Sequence, residues 1–373
     1  MKIPGLPSSK IKVAMADRWR LEPARLDKVE PHRMKEAIKN LFMKDGLFLQ
    51  RAVSGALGDE VEIGNIGRIE ARYFQEGLKT AVFQVMAKLK DGRKTTFCLS
   101  VSEYPNDEEY DIFGEFDQIS FSWSRHPEDI PEPYAKGAGM FHHNMSEPTE
   151  LKMIAVEWIK DSVELDYFVD RNTEKWKFYL NYYSGYVERA TPVFAEHYLS
   201  EADGRVIAEE MVRILAKDYD PATKSMVDSL DINAGDFVIR MLNKEGDFDL
   251  KLVTIRKRRY GVGVSDLIER LLKYEVDYQL IDPYTHKHIT LLKYKKPFRP
   301  PHVVFRGIQK GLMDLHGENK GRELTRQWLE RYKKDKHKFT RQVDRFLETG
   351  INEPLQARLA NRYARMLTQG LIH

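Results

Sequence analysis

KTAVFQVMAKLKDGRKTTFCLSVS, residues Lys79 to Ser102, is the stretch on which the fold turns. Phe83, Val85, Ala87 and Leu89 alternate with polar or mixed neighbours, the period of a strand with one face buried. Lys90-Asp91-Gly92-Arg93 supplies a turn with a glycine able to take positive φ. On the return strand Phe97, Leu99 and Val101 share one face, while Thr96, Cys98, Ser100 and Ser102 share the other. An antiparallel hairpin is predicted.

Upstream, residues 27–57 read as helical. Met34, Ile38, Leu41 and Phe42 fall on one face, and Asp45-Gly46 interrupts them. Downstream, Pro105, Pro127, Pro131, Pro133 and Pro148, with Gly137-Ala138-Gly139, predict loop over much of the later part of 103–150. Met153-Ile154-Ala155-Val156 with Trp158-Ile159 reads as a buried strand running into a connector. Helices are expected to dominate next, including 203–217 with its stripe of Ile207, Met211, Ile214 and Leu215. A second hairpin is predicted from strands Phe237–Leu242 and Leu250–Ile255, joined through Asn243-Lys244-Glu245-Gly246-Asp247. Leu324, Trp328, Tyr332, Phe339, Val343 and Phe346 suit a long amphipathic helix. Asn352 and Pro354 signal a last helix carrying Leu355, Leu359 and Met366.

Apolar residues make up 42% of the 373, enough for a sizeable core, which excludes wholesale disorder. Cys98 is the only cysteine, so there is no intramolecular disulfide and no cysteine zinc cluster. No run of 18 apolar residues occurs, mean hydropathy is −0.54, and the first residues lack an apolar signal segment. A soluble cytoplasmic protein is expected. The net charge of +3 is too small to demand a polyanionic partner for the whole molecule. Charge is nevertheless uneven: residues 103–166 carry 16 acidic and 4 basic side chains, and residues 293–345 carry 16 basic and 6 acidic. These are two solvated faces, or surfaces that meet each other or a partner.

The order of elements resembles the bilobal, protein-kinase-like fold of the aminoglycoside and choline phosphotransferases. A helical lead-in gives way to a β-rich block, a connector, helices, and then Asn233-Ala234-Gly235-Asp236-Phe237 opening a hairpin. Glu76-Gly77-Leu78-Lys79-Thr80 is similar to the glycine-containing turn of that family, Ala234-Gly235-Asp236-Phe237 to its catalytic loop, and Ser265-Asp266-Leu267-Ile268 to a later helix start. The resemblance covers roughly residues 60–275 through short motifs. It implies an α+β chain with a β-rich N-lobe over 59–166 and a mostly helical C-lobe over 167–300. A helical extension over 1–58 and a basic helical segment over 301–373 would flank the lobes.

The same resemblance assigns Asp236 as the catalytic aspartate and Gly77, Thr80 and Asn243 as nucleotide contacts, with ATP as the cofactor. Phosphoryl transfer of that kind relies on charge stabilisation by a strand lysine and on metal-binding Asn and Asp side chains. Here the lysine position holds Ser100, the metal-binding aspartate position Thr254, the motif histidine position Ala234, and the asparagine position Met241, with Asn243 two residues on. Lys88 and Lys94 are the neighbouring candidates to replace the lysine. Each lost cation-to-phosphate contact removes several kcal/mol of transition-state stabilisation. The expectation is therefore a catalytically degenerate, pseudokinase-like protein acting in binding or scaffolding. An active small-molecule phosphotransferase using Asp236 and Asn243 is the first alternative.

Apart from the resemblance, Gly235-Asp236 is an ordinary turn dipeptide whose carboxylate can serve the local backbone. Asp266 suits the N-cap of a helix with Leu267, Ile268, Leu271 and Leu272. His126, His142-His143, His286 and His288 lack carboxylates at supporting spacing, so no metal site is assigned. No HExxH, Walker A, GxSxG or dinucleotide fingerprint occurs. Arg256-Lys257-Arg258-Arg259, with the 293–345 segment and its Trp328, Tyr332 and Phe339, raises contact with nucleic acid or another anionic surface. An unrelated α+β interaction protein using these basic helices is the second alternative, although helical spacing of the aromatics favours core packing over base stacking.

Overall fold

A computed structural model of the chain describes residues 3–15, 29–76, 79–105, 110–142, 148–169, 176–183, 194–198, 201–228, 234–242, 247–272, 279–281, 288–290 and 301–334. These residues form an α+β structure in two units that divide between Asp161 and Ser162. Among the described residues, no helix is long and apolar enough to cross a membrane.

The first unit is built on a six-stranded sheet. Its strands are β1 (Ile11–Ala14), β2 (Ile66–Glu76), β3 (Thr80–Leu89), β4 (Lys94–Ser102), β5 (Pro133–His142) and β6 (Pro148–Glu157), in the order β1-β2-β3-β4-β6-β5. β1 runs parallel to β2, and every other pairing is antiparallel. The predicted hairpin is β3–β4, paired from Thr80↔Ser102 to Lys88↔Lys94 and closed by Gly92 at φ 93°. Its inward residues Phe83, Val85, Phe97 and Leu99 are fully buried, as the alternation requires. Register shifts at Ile66/Arg68, Tyr73/Gln75 and Pro133/Ala135 mark bulges, which bend and twist the strands that carry them.

Helices α1 (Pro31–Lys44) and α2 (Gly46–Leu57) pack on this sheet, and their buried residues Met34, Ile38, Leu41, Phe42, Phe48 and Leu49 join one apolar cluster with all six strands. The segment expected as an N-terminal helical extension is thus part of the first core. Asp45 separates the helices and caps α2 by accepting from the Phe48 N–H at 2.9 Å.

The loop expected in the later part of 103–150 is instead largely ordered. It holds the strand β5, and α3 (Ile112–Trp123) precedes it. Pro133 and Pro148 fall at first strand positions, where a missing N–H is tolerated. In the sequence Gly137 and Gly139 look like turn residues, because glycine breaks patterns. Their role is close packing: a methyl on Gly139 would lie 1.9 Å from the Ala37 carbonyl of α1, and one on Gly137 would meet Phe48 at 2.9 Å.

The second unit is richer in strands than the mostly helical lobe expected there. β7 (Val163–Val169), β8 (Trp176–Tyr183) and β9 (Phe194–Tyr198) form an antiparallel ladder where helices were expected. Their dense Val, Phe, Tyr and Trp content suits pleated surfaces. After α4 (Glu201–Lys217) comes β10 (Met226–Val227), then β11 (Phe237–Met241) and β12 (Phe248–Leu252), the second predicted hairpin. Its return strand starts two residues earlier than read, with Phe237 opposite Leu252.

β11 also pairs with β7. β13 (Arg258–Arg259) pairs with β10, α5 spans Val264–Leu272, and the short strands β14 (Gln279–Ile281) and β15 (His288–Thr290) extend the β7 sheet. α6 (Pro301–His316) lies against α4 across Gly307 and Gly311, and α7 (Glu318–Lys334) folds back on α6, burying Trp328 beside Phe305 at 6.0 Å between ring centroids. Phe339, Val343, Phe346 and the helix predicted after Asn352 lie outside the described residues.

Candidate functional site

Asp236 ends a single 3-10 turn, Ala234–Asp236, that feeds β11. Its side chain is 4% exposed, and both carboxylate oxygens are held by one guanidinium: Arg256 Nη2 donates to Oδ1 at 2.7 Å and Nη1 to Oδ2 at 3.0 Å. The Asp236 carbonyl accepts from the Val253 N–H at 2.8 Å. This two-point fork is among the stronger polar contacts a protein makes. It ties the start of β11 to the segment after β12. A carboxylate held at both oxygens by one arginine and almost fully buried is poorly placed to reach a substrate proton, as a general base must.

The rest of the basic run is used in the same way. Arg258 and Asp218 form an ion pair with side chains 2% and 0% exposed, and Arg258 Nη2 also donates to the Asp218 carbonyl at 2.9 Å. Asp218 additionally accepts from the Val227 N–H at 3.3 Å. Arg259 Nε lies 2.7 Å from Asp228 Oδ1. The β10–β13 ladder, Met226↔Arg259 and Val227↔Arg258, sets these arginines opposite the 218–228 segment. Three charges of Arg256-Lys257-Arg258-Arg259 are therefore matched to aspartates of the same unit.

Between Asp218 and Asp228, Asp220 organises a tight turn. It accepts from the Ala222 N–H at 3.0 Å and the Thr223 N–H at 3.3 Å, and its own N–H donates to the Ser225 carbonyl at 2.7 Å. Thr223 and Ser225 hydroxyls bond each other at 2.8 Å. The Tyr219 hydroxyl donates to the Val262 carbonyl at 2.9 Å, and burial, reinforced by the Asp220 and Asp266 charges, raises its pKa. Asp266 does not hold the N-cap position expected of it. It lies in the first turn of α5 and reaches back to the Gly263 N–H at 3.0 Å, the return half of a capping box.

The other sequence candidates fall in both units. Thr80 opens β3 in the first unit, half-buried and opposite Ser102. Gly77 and Asn243 lie outside the described residues. Ser100 sits on β4 opposite Val82 and Ile154, and Lys88 and Lys94 face each other, exposed, at the turn end of the hairpin. Cys98 is on the same side of β4 as Ser100, and burial pushes its thiol up to about 12, the Ser100 hydroxyl opposing weakly. That is the behaviour of a packing cysteine.

His126 is buried beside Asp129 at 3.7 Å, His142 is exposed at the end of β5, and His288 opens β15; His143 and His286 lie outside the described residues. Among the described residues, no three His, Cys, Asp or Glu side chains are placed to hold a metal.

In the described part of 293–345, Arg306 and Lys310 both reach Glu209, at 2.8 and 2.6 Å, and α7 pairs Arg322 with Glu318, Lys320 with Glu323 and Arg326 with Glu330. Its basic residues are interleaved with acids at helical spacing, which flattens the field that composition suggests. No protein-family model matches the chain, and no curated protein matches it.

What sequence reasoning missed is the acidic half of the network, Asp218, Asp220 and Asp228. Asp218-Tyr219-Asp220-Pro221 reads locally as a helix end and turn. Its pairing depends on β10–β13, a two-residue ladder too short to leave a periodic signal.

Proposed function

We propose that the protein is a non-catalytic binding or scaffolding protein, and that its likeness to kinase-like phosphotransferases is that of a degenerate member. The observation that carries this reading is the Asp236–Arg256 fork. The one residue matching a catalytic position in sequence spends its carboxylate on an internal arginine. The substitutions at Ser100, Thr254 and Met241 point the same way, since they remove the groups that would hold a triphosphate and its metal.

The test is thermal stability of the full chain with ATP, ADP and GTP, each with and without magnesium, for the native protein and Asp236→Asn. No magnesium-dependent rise in melting temperature is expected. Asp236→Asn is expected to melt lower by several degrees in every condition, because it weakens a mostly buried charge pair. A rise that requires magnesium and disappears in Asp236→Asn would overturn the reading in favour of an active phosphotransferase.

A further inference from the structure

The loop from Arg259 to Gly263 and one side of α5 border an open cleft of about 290 Å³, lined by Arg259, Tyr260, Gly261, Val262, Asp266 and Arg270. Its loop is fixed from three directions. The Val262 N–H donates to the Lys224 carbonyl at 2.8 Å, the Val262 carbonyl accepts from the Tyr219 hydroxyl at 2.9 Å, and the Gly263 N–H donates to Asp266. Gly261, at φ 72°, takes a backbone conformation that side chains resist, and it turns the chain between Tyr260 and Val262.

The groups on this frame are not consumed by the fold. Tyr260 is 69% exposed, an aromatic ring held in solvent by a loop that is otherwise pinned. Arg270 has no hydrogen-bond or ion-pair partner among the described residues, in contrast to Arg256, Arg258 and Arg259. Asp266 uses Oδ2 for Gly263 and leaves Oδ1 without a partner among the same residues. Arg259 lies on the wall with its Nε held at Asp228.

We infer that this cleft binds a nucleoside monophosphate. Arg270, beside Arg259, takes the phosphate, the Tyr260 ring packs against the base, and Asp266 Oδ1 accepts from a base amine or ribose hydroxyl. Charge argues for a single phosphate. Asp228 and Asp266 balance Arg259 and Arg270, so the lining carries no net positive charge and can answer one phosphate at most, through direct contact with the Arg270 guanidinium. A triphosphate or a polynucleotide backbone would bring more negative charge than the lining answers. Size points the same way, since a cleft just below the usual range of about 300–1,000 Å³ leaves room for a small ligand only. An aromatic ring beside an arginine is the pairing that holds bases and phosphates in many nucleotide-binding surfaces.

This inference deepens the binding reading above and rests on it. It is tested by calorimetric titration of the full chain with AMP and CMP, with glycerol 3-phosphate and inorganic phosphate as probes lacking the ring. Both mononucleotides are expected to bind more tightly than either ring-free probe. Arg270→Glu should weaken them at least tenfold, and Tyr260→Ala about tenfold, without changing the ring-free probes. Both variants should keep the native melting temperature, since neither side chain has a partner to lose. Three results would overturn the site: no binding of either mononucleotide at millimolar concentration, binding that survives Arg270→Glu, or equal affinity for inorganic phosphate and nucleotide. A magnesium-dependent stabilisation that needs Asp236 would overturn the binding reading and leave these titrations interpretable on their own.

Discussion

In the first unit, Met34, Ile38 and Phe42 of α1 meet Phe83, Val85 and Phe97 of the sheet in a cluster that is apolar throughout. In the second, the strands β10 to β13 are anchored by Asp218–Arg258, Asp228–Arg259 and Asp236–Arg256. Apolar burial is non-directional and tolerates small adjustments, contributing on the order of 25 cal/mol per Å² removed from water. Paired charges supply direction and register, and they exact a desolvation cost that only good geometry offsets. The sheet-and-helix unit is therefore insensitive to which apolar side chain fills a position, whereas the charge-pinned unit depends on particular partners.

The sharpest way to break this contrast is Arg258→Ala. It removes the arginine from Asp218, a carboxylate with no exposure, and the expected loss is about 3–5 kcal/mol of stability, read by chemical denaturation. If the double variant Arg258→Met with Asp218→Leu recovers most of that loss, the pair confers specificity more than stability. If Arg258→Ala costs under ~1 kcal/mol, charge pinning is not what holds the second unit.

The first unit also has exacting positions, and Gly139 is one of them. Gly139→Ala places a methyl against the α1 backbone and should cost about 1–3 kcal/mol or more, whereas a volume-conserving swap such as Leu41→Met should cost less than about 1.5 kcal/mol. Equal effects would mean that the seat for α1 is as forgiving as the rest of that core.

The smallest effect concerns a surface pair of the first unit. Lys152 donates to Asp111 at 3.0 Å, and that hydrogen bond, opposed by slight desolvation, holds the Asp111 carboxyl below its ordinary range. A lowered folded pKa adds stability above the unfolded value of about 3.9, and that addition is lost as pH falls through the folded value. Lys152→Met should therefore lower stability by a few tenths of a kcal/mol near neutrality, as exposed pairs do. The difference should vanish in strong acid. A difference that persists there would mean the lysine acts through its ammonium over the Phe113 ring, 5.3 Å from the centroid, rather than through the Asp111 charge.

The same contrast governs what could be read from the sequence. The β3–β4 hairpin was legible because period-2 alternation and Gly92 are local signals. The stripe of α1 was legible because its 3.6 period is local too. β5 was not, since Gly137 and Gly139 look like turn residues until a helix 100 residues earlier is laid across them. The ladder β7–β8–β9 was passed over because aromatic-rich runs without strict alternation do not declare their period. At the candidate site, Asp236 and the 256–259 cluster were visible as residues, and their mutual neutralisation was not. No local pattern says that Arg256 returns to Asp236 twenty positions back, or that Arg258 reaches Asp218 forty back. Tyr260 and Arg270 drew no attention for the same reason: their interest lies in what the fold leaves unpaired.

The seat of α1 on β5 also orders events during synthesis. Asn40 donates to the Met140 carbonyl at 2.7 Å, a contact spanning 100 residues. The apolar faces of α1 and α2 therefore leave the ribosome well before the strand that receives them. At about 5–20 residues per second, that interval is roughly 5–20 s. The nascent chain must carry two sticky helices through it, shielded only by the earlier strands β1 to β4, so the first unit is most exposed to misassociation before β5 and β6 emerge.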